Sequence, residues 1–227
     1  MAHSERRLKQ IFKMTGAKTY LEVGVFDGAT FNALKIDHKD AVDPVFRFDV
    51  PKFETKTARF FEMTSDEFMV NHVGDRVYDV IFLDGLHTFE QTFRDFCMSL
   101  SCAHKNTVWL IDDVHPLDVF SAHRDQRTAI NYRAQTGSTR KAWHGDVYKT
   151  IFAIHDFFPN FVYRSFATGG NQQTVLMQRP RAGFKPVYND LERISRVDFY
   201  EFMDRRPLLN LEPEDDVFKW LQATLKG

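Results

Sequence analysis

Four side chains able to do chemistry lie between Tyr78 and Asp113: Asp84, His87, Asp112 and Asp113. Tyr78 to Leu83 and Thr107 to Ile111 are apolar runs of strand length, and each ends in carboxylates. Asp84-Gly85-Leu86-His87 follows the first, and Asp112-Asp113 follows the second. Unbroken apolar runs suit strands covered on both faces, as in a parallel sheet. The stretch between them, Thr88 to Ser101, reads as a helix with Phe89, Phe93, Phe96 and Leu100 on its buried side. Parallel strands joined by such a crossover bring their carboxyl ends to one sheet edge, where open α/β sheets bind ligands. Three carboxylates and an imidazole meeting there could hold a hard cation with a base beside it. Taken singly, Asp84 or Asp113 also suits a helix cap. Two adjacent acids at a strand mouth repel unless a cation, a proton or a base compensates them, and this favours the metal reading.

A second constellation stands nearer the start. Thr19 to Phe26 reads as a buried strand that runs into Glu22-Val23-Gly24 and then Asp27-Gly28, with a helix following through Leu34. Glycines let a ligand approach the backbone, and the helix start is electropositive. The G-x-x-x-G spacing is not the G-x-G-x-x-G of dinucleotide binders. Asp43 closes the next strand, Asp40 to Pro44, where an acid can accept hydrogen bonds from ribose hydroxyls or serve as an ordinary turn residue. Ala58 to Met63 is a third strand, after which Thr64 or Ser65 caps a helix in a turn that would flank an adenine.

The remaining elements must position these residues. Ser4 to Met14 forms an amphipathic helix. Val114 to Gly145 reads as a long irregular segment rich in His, Arg, Gln and Thr, placed to act as a lid or substrate-binding element. His115, Trp143 and His144 are its candidate substrate contacts, and Asp146 is the expected N-cap of a helix to Phe157. Phe161 to Ala167 and Gln173 to Gln178 form a final hairpin around Thr168-Gly169-Gly170-Asn171. Residues 1–180 thus make one α/β domain, and residues 181–227 a helical C-terminal extension.

Composition agrees with a globular protein: 43% of 227 residues are apolar. A net charge of −1 offers no electrostatic case for nucleic acid or an anionic membrane. No segment is apolar for long enough to span a bilayer, and the charged start from Met1 to Lys13 has no secretory core behind it. Cys97 and Cys102 read as reduced, buried thiols, which suits the cytoplasm. A homo-oligomer is compatible with all of this.

Glu22, Gly24, Gly28, Asp43, the Asp84-Gly85-Leu86-His87 turn and the Asp112-Asp113 pair together resemble a class I S-adenosylmethionine-dependent methyltransferase. The likeness runs from about Thr19 to Arg179. It is nearest to the metal-dependent O-methyltransferases that include macrocin O-methyltransferase, a group that also contains a cephalosporin hydroxylase. The resemblance implies a Rossmann-like, doubly wound, mostly parallel sheet of seven strands with the last reversed. It implies that S-adenosylmethionine is held by Glu22, Gly24, Gly28, Asp43, Ser65 and Asp84, with Asp43 at the ribose and Ser65 at the adenine. It also implies that Mg²⁺ or another divalent cation is bound by Asp84, Asp112 and Asp113, with His87 as the general base. Related sugar methyltransferases often carry Glu where this chain has Asp112.

The reaction so implied is methylation of a hydroxyl on a small molecule or glycan. Two open positions on the ion favour a sugar or other vicinal diol. Three alternatives are an iron-dependent hydroxylase on the same scaffold, a nicotinamide-dependent oxidoreductase, and a non-catalytic module whose acids only cap helices. The missing dinucleotide spacing disfavours the second.

Overall fold

A computed structural model describes residues 3–226. Met1, Ala2 and Gly227, at the ends of the charged N-terminal stretch and of the C-terminal extension, lie outside the described residues.

The chain opens with α1 (His3–Thr15), then β1 (Thr19–Val23), α2 (Ala29–Ala33), β2 (His38–Asp43) and β3 (Ala58–Glu62). A short helix, α3 (Ser65–Glu67), continues as a π-helical turn over Phe68–His72 and leads to β4 (Tyr78–Leu83), α4 (Phe89–Ser99) and β5 (Ala103–Ile111). Next come α5 (Gln126–Gln135), α6 (Tyr148–Phe157), β6 (Phe161–Phe166) and β7 (Thr174–Gln178). The C-terminal region supplies α7 (Leu191–Ser195), α8 (Phe199–Arg205), β8 (Leu211–Glu212) and α9 (Glu214–Lys226).

All the strands join one eight-stranded sheet in the order β3-β2-β1-β4-β5-β7-β6-β8. The pairings from β3 through β5 are parallel, and β7 is antiparallel to both its neighbours. This is the doubly wound, mostly parallel sheet expected, with one strand more than the seven implied by resemblance. The eighth is β8, two residues of the C-terminal extension lying parallel to β6. So short a strand carries no alternating pattern, so the sequence does not announce it.

Alternate residues of the central strands enter different cores. Leu21, Ile81, Leu83, Trp109, Ile111 and Leu176 pack in a cluster with residues of α4 and α6. Tyr20, Val80, Phe82, Val108, Leu110 and Val175 pack in the other with residues of α1, α2 and α9. Period-two side-chain alternation with both faces covered explains why these strands read as unbroken apolar runs. The phenylalanine-rich composition is spent here: Phe96, Trp109, Phe158 and Phe161 meet edge to face with centroids 5.1–6.0 Å apart. The C-terminal region contributes to both faces, Ile194, Val197, Phe202 and Leu209 to the first and Val217 and Leu221 to the second.

Two local expectations are corrected. The segment after Asp113 is not irregular throughout, because α5 forms within it, capped by Asp125 accepting from the Thr128 N–H at 2.7 Å. Asp146 does not cap its own helix. Its Oδ1 accepts from the Phe89 N–H at 2.7 Å, the first residue of α4, while Oδ2 takes Lys149 Nζ at 2.9 Å. Of the two candidate caps after β3, Thr64 is the one used, accepting from the Glu67 N–H.

Candidate active site

The parallel register of β1, β4 and β5 places Gly24, Asp84 and Asp112 at one edge, each the first residue beyond its strand. The backbones touch there. Gly24 has φ +86°, and a Cβ on it would lie 2.0 Å from the Asp84 carbonyl oxygen, so only glycine fits this crossing. Gly28 has φ +75° and faces Asn32 and the Phe48 ring.

Asp43 holds the glycine turn from β2. Its Oδ2 accepts from the N–H groups of Val25 and Phe26, both at 2.8 Å, and Oδ1 accepts from Val45 at 2.8 Å. Glu22 is 2% exposed and accepts from the Tyr20 hydroxyl at 2.6 Å. Burial pushes its carboxyl up to about 8, against the opposing effects of the Tyr20 hydrogen bond and the Lys39 charge. Ser65 donates to Asp95 at 2.6 Å, and Gln91 joins the same polar group.

At the centre, Asp84, His87 and Asp113 each offer one ligand atom within 4.8 Å of the others. His87 Nε2 lies 3.0 Å from Asp113 Oδ2 and 3.6 Å from Asp84 Oδ1. Its Nδ1 faces the Trp143 carbonyl at 3.2 Å, and that carbonyl can only accept, so the Nδ1 proton stays and Nε2 is left for the carboxylates. The Trp143 ring stacks on the imidazole, with centroids 4.7 Å apart. Gly145 lies so close to the His87 carbonyl that a Cβ would overlap it, which lets the Trp143 segment run beside the His87 turn.

Crowded carboxylates shape the electrostatics. Burial and the Asp112 charge push Asp84 up to about 7, with His87 opposing. Burial and the Asp112 charge likewise raise Asp113. Burial pulls the His87 imidazole down, but its hydrogen bond to Asp84 and the charges of Asp113 and Asp84 outweigh this and carry it to about 9. A proton on His87 thus balances the carboxylates where a cation otherwise would. Asp113 itself has φ +58°, a left-handed conformation uncommon for a residue with a side chain.

Three expected residues stand at or beyond the margin of this cluster. Asp112 is not among its mutually close ligand atoms, although its charge is felt by Asp84 and Asp113: Oδ1 accepts from the Asp113 N–H and Asn171 Nδ2, both at 2.7 Å, and Oδ2 accepts from Gln173 Nε2 at 2.8 Å. His115 packs edge-on against Phe202, toward α8. His144 is 4% exposed and sits one layer back, its Nε2 3.1 Å from Asn171 Oδ1. Burial lowers its pKa. Trp143 stacks on His87, and His144 Nε2 comes within 3.8 Å of Asp113 Oδ1, so two of the three candidate substrate contacts reach the cluster. Of the basic residues in this segment, Arg124 pairs with Glu90 and the buried Arg133 with Asp118.

Sequence reasoning missed Arg7, Asn171 and Gln173. Arg7 is fully buried and donates to Glu214 Oε2 at 2.9 Å, Gln173 Oε1 at 2.9 Å, the Thr168 carbonyl at 2.8 Å and the Asn171 carbonyl. Nothing in a lone Arg on an amphipathic helix marks it as buried, and Asn171 reads as a turn residue.

Comparison with known proteins agrees with this architecture. Residues 21–114 match a family model described as a methyltransferase domain. None of the curated proteins matches the chain by sequence. Among solved structures, the O-methyltransferase from Bacillus cereus in complex with SAH is similar at 14% identity and a TM-score of 0.53, over 77% of this chain and 80% of that one. A SAH-bound methyltransferase from Podospora anserina is similar at 12% identity and a TM-score of 0.52, over 75% and 76% of the two chains. At such identities the structural likeness is one of fold.

Proposed function

We propose that this chain, which carries a methyltransferase domain of class I architecture, moves a methyl group from S-adenosylmethionine to a hydroxyl of a small molecule with the help of a divalent cation. The observation that carries the reading is the convergence of Asp84, His87 and Asp113 beside the Gly24 turn at one sheet edge.

The residues present fit both groups. The glycine turn, braced by Asp43, suits the methionine portion of the cofactor, with Glu22 buried in the strand before it, Asp43 near the ribose and the Ser65 turn near the adenine. Asp84 and Asp113 suit a hard cation that keeps most of its waters. When bound, the cofactor supplies an activated sulfonium methyl and the ion lowers the pKa of an acceptor hydroxyl.

The chain's own side chains do the rest. With a cation held by Asp84 and Asp113, His87 would no longer need its second proton, and Nε2 would carry a lone pair. The Trp143 carbonyl holds Nδ1–H, so that lone pair points to where the carboxylates converge and can take the hydroxyl proton. Trp143 covers one face of the imidazole and excludes water from it. Holding acceptor and donor in line supplies about 7–11 kcal/mol in favourable cases.

Two charged ligands leave several ion positions open, and two neighbouring substrate oxygens could fill two of them. This favours a vicinal diol, as in a glycosyl group. Among the described residues no helix is long and apolar enough to cross a membrane. The free Cys97 and Cys102 support a cytoplasmic setting.

Calorimetry with S-adenosylhomocysteine, with and without Mg²⁺ or Mn²⁺, tests cofactor and ion. A panel of diol-bearing glycosides, their singly deoxygenated analogues, catechols and amines, assayed with labelled S-adenosylmethionine, tests the acceptor. Labelling of amines alone would overturn the reaction class, and an unchanged rate after deoxygenation would overturn chelation of a diol.

A further inference from the structure

Asn171 belongs to the loop between β6 and β7, outside the residues matched to the methyltransferase domain, yet it reaches the carboxylate pair. Its Nδ2 donates one hydrogen to Asp112 Oδ1 at 2.7 Å and the other to Asp113 Oδ1 at 2.8 Å. The opposite amide orientation would set an oxygen against two carboxylates, so the arrangement is fixed by charge. Asn171 Oδ1 then faces His144 Nε2, which must carry its proton there.

The consequences for the two acids differ. Asp112 Oδ1 accepts from Asn171 and the Asp113 N–H, and Oδ2 accepts from Gln173. Three of its four acceptor positions are thus taken by amides. Asp113 has only Oδ1 taken by Asn171, and this turns Oδ2 toward His87 Nε2. The loop is itself anchored: the buried Arg7 of α1 binds the carbonyls of Thr168 and Asn171 and the side chain of Gln173, and Glu214 of α9 binds Arg7.

We infer that Asn171 is a positioning residue for the ion site: it aims Asp113 Oδ2 at the cation, while Gln173 and the Asp113 N–H, which its loss leaves in place, keep Asp112 out of the ligand set. The inference rests on the ion reading above. It assigns the coordination to Asp84 and Asp113 rather than to three carboxylates. It also makes the β6–β7 loop, held by both ends of the chain, the element that sets ion affinity.

The test is Mn²⁺ binding to the full chain, followed by electron paramagnetic resonance, for the wild type, Asn171→Leu and Asn171→Ala. Leucine keeps the volume without the donors, and alanine removes the side chain from a half-buried loop position. Thermal melting and S-adenosylhomocysteine titration in EDTA report the fold and the cofactor site separately. The expected result is a rise of about tenfold or more in the Mn²⁺ dissociation constant in both variants, with melting and cofactor affinity unchanged. An unchanged Mn²⁺ affinity in either variant overturns the role of Asn171 and leaves the ion reading standing. A loss that tracks early melting or lost cofactor binding also overturns it, since the role is then structural. A wild-type chain that binds S-adenosylhomocysteine but no Mn²⁺ overturns both.

Discussion

At the scale of single residues, the site is governed by how few positive charges face its carboxylates. Asp84 and Asp113 should be needed for the ion, so Asp84→Ala or Asp113→Ala should abolish Mn²⁺ binding by calorimetry. His87→Ala should keep the ion and lower turnover by about 10²–10⁴. Because an ion at this site would compete with protons on Asp84, at about 7, and His87, at about 9, its affinity should climb with pH across that window. A flat profile from pH 6 to 9 would count against a shared site. Glu22 makes an independent prediction. Its folded pKa of about 8 lies above the ordinary carboxylate value, so between the two the unfolded chain has lost a proton that the folded chain keeps. Stability therefore falls as pH rises through that window. Glu22→Gln should flatten this slope, and its advantage in urea midpoint over the wild type should widen from about pH 5 to about pH 8.

At the scale of elements, crossings of backbone against backbone decide what can change. Gly24→Ala would drive a Cβ into the Asp84 carbonyl, an atom that cannot swing aside, whereas Gly28→Ala meets the Asn32 and Phe48 side chains. Both have positive φ, so both should destabilise, the second by about 1–3 kcal/mol and the first by more. Thermal melts of the two variants give the order directly. Equal losses would mean that the Gly24 crossing is not tight. Asp146 joins two elements, since it accepts from the first N–H of α4 and pairs with Lys149 of α6. Asp146→Ala would leave the buried Lys149 without its carboxylate and should lower stability by about 3–5 kcal/mol in urea unfolding.

At the scale of the whole molecule, the ends of the chain close over the sheet. Leu221 of α9 is fully buried in the same cluster as Leu8 and Ile11 of α1. Leu221→Ala should cost about 2–5 kcal/mol, more than removal of an apolar side chain from a detachable tail would. A change within about 0.5 kcal/mol would indicate that α9 packs loosely. Glu214, the first residue of α9, reaches Arg7 and through it the loop that carries Asn171 and Gln173. The C-terminal helix is thereby linked to the carboxylate pair.

Much of this was legible in the sequence because the physics involved is local. Strands covered on both faces must be apolar throughout, so β4 and β5 could be read from composition, and parallel pairing then requires their carboxyl ends to share an edge. Gly24 and Gly28 mark a turn because only glycine tolerates such φ values freely. Tertiary structure alone decided which partners each acid takes. Asp112 and Asp113 are adjacent and chemically identical, and what separates them is a pair of amides, Asn171 and Gln173, 58 to 61 positions away. Asp146 looked like a cap for its own helix and caps another, and His115 looked like a lid residue and packs on Phe202. A side chain's partners across the fold are fixed by packing, which leaves no periodic trace in the chain.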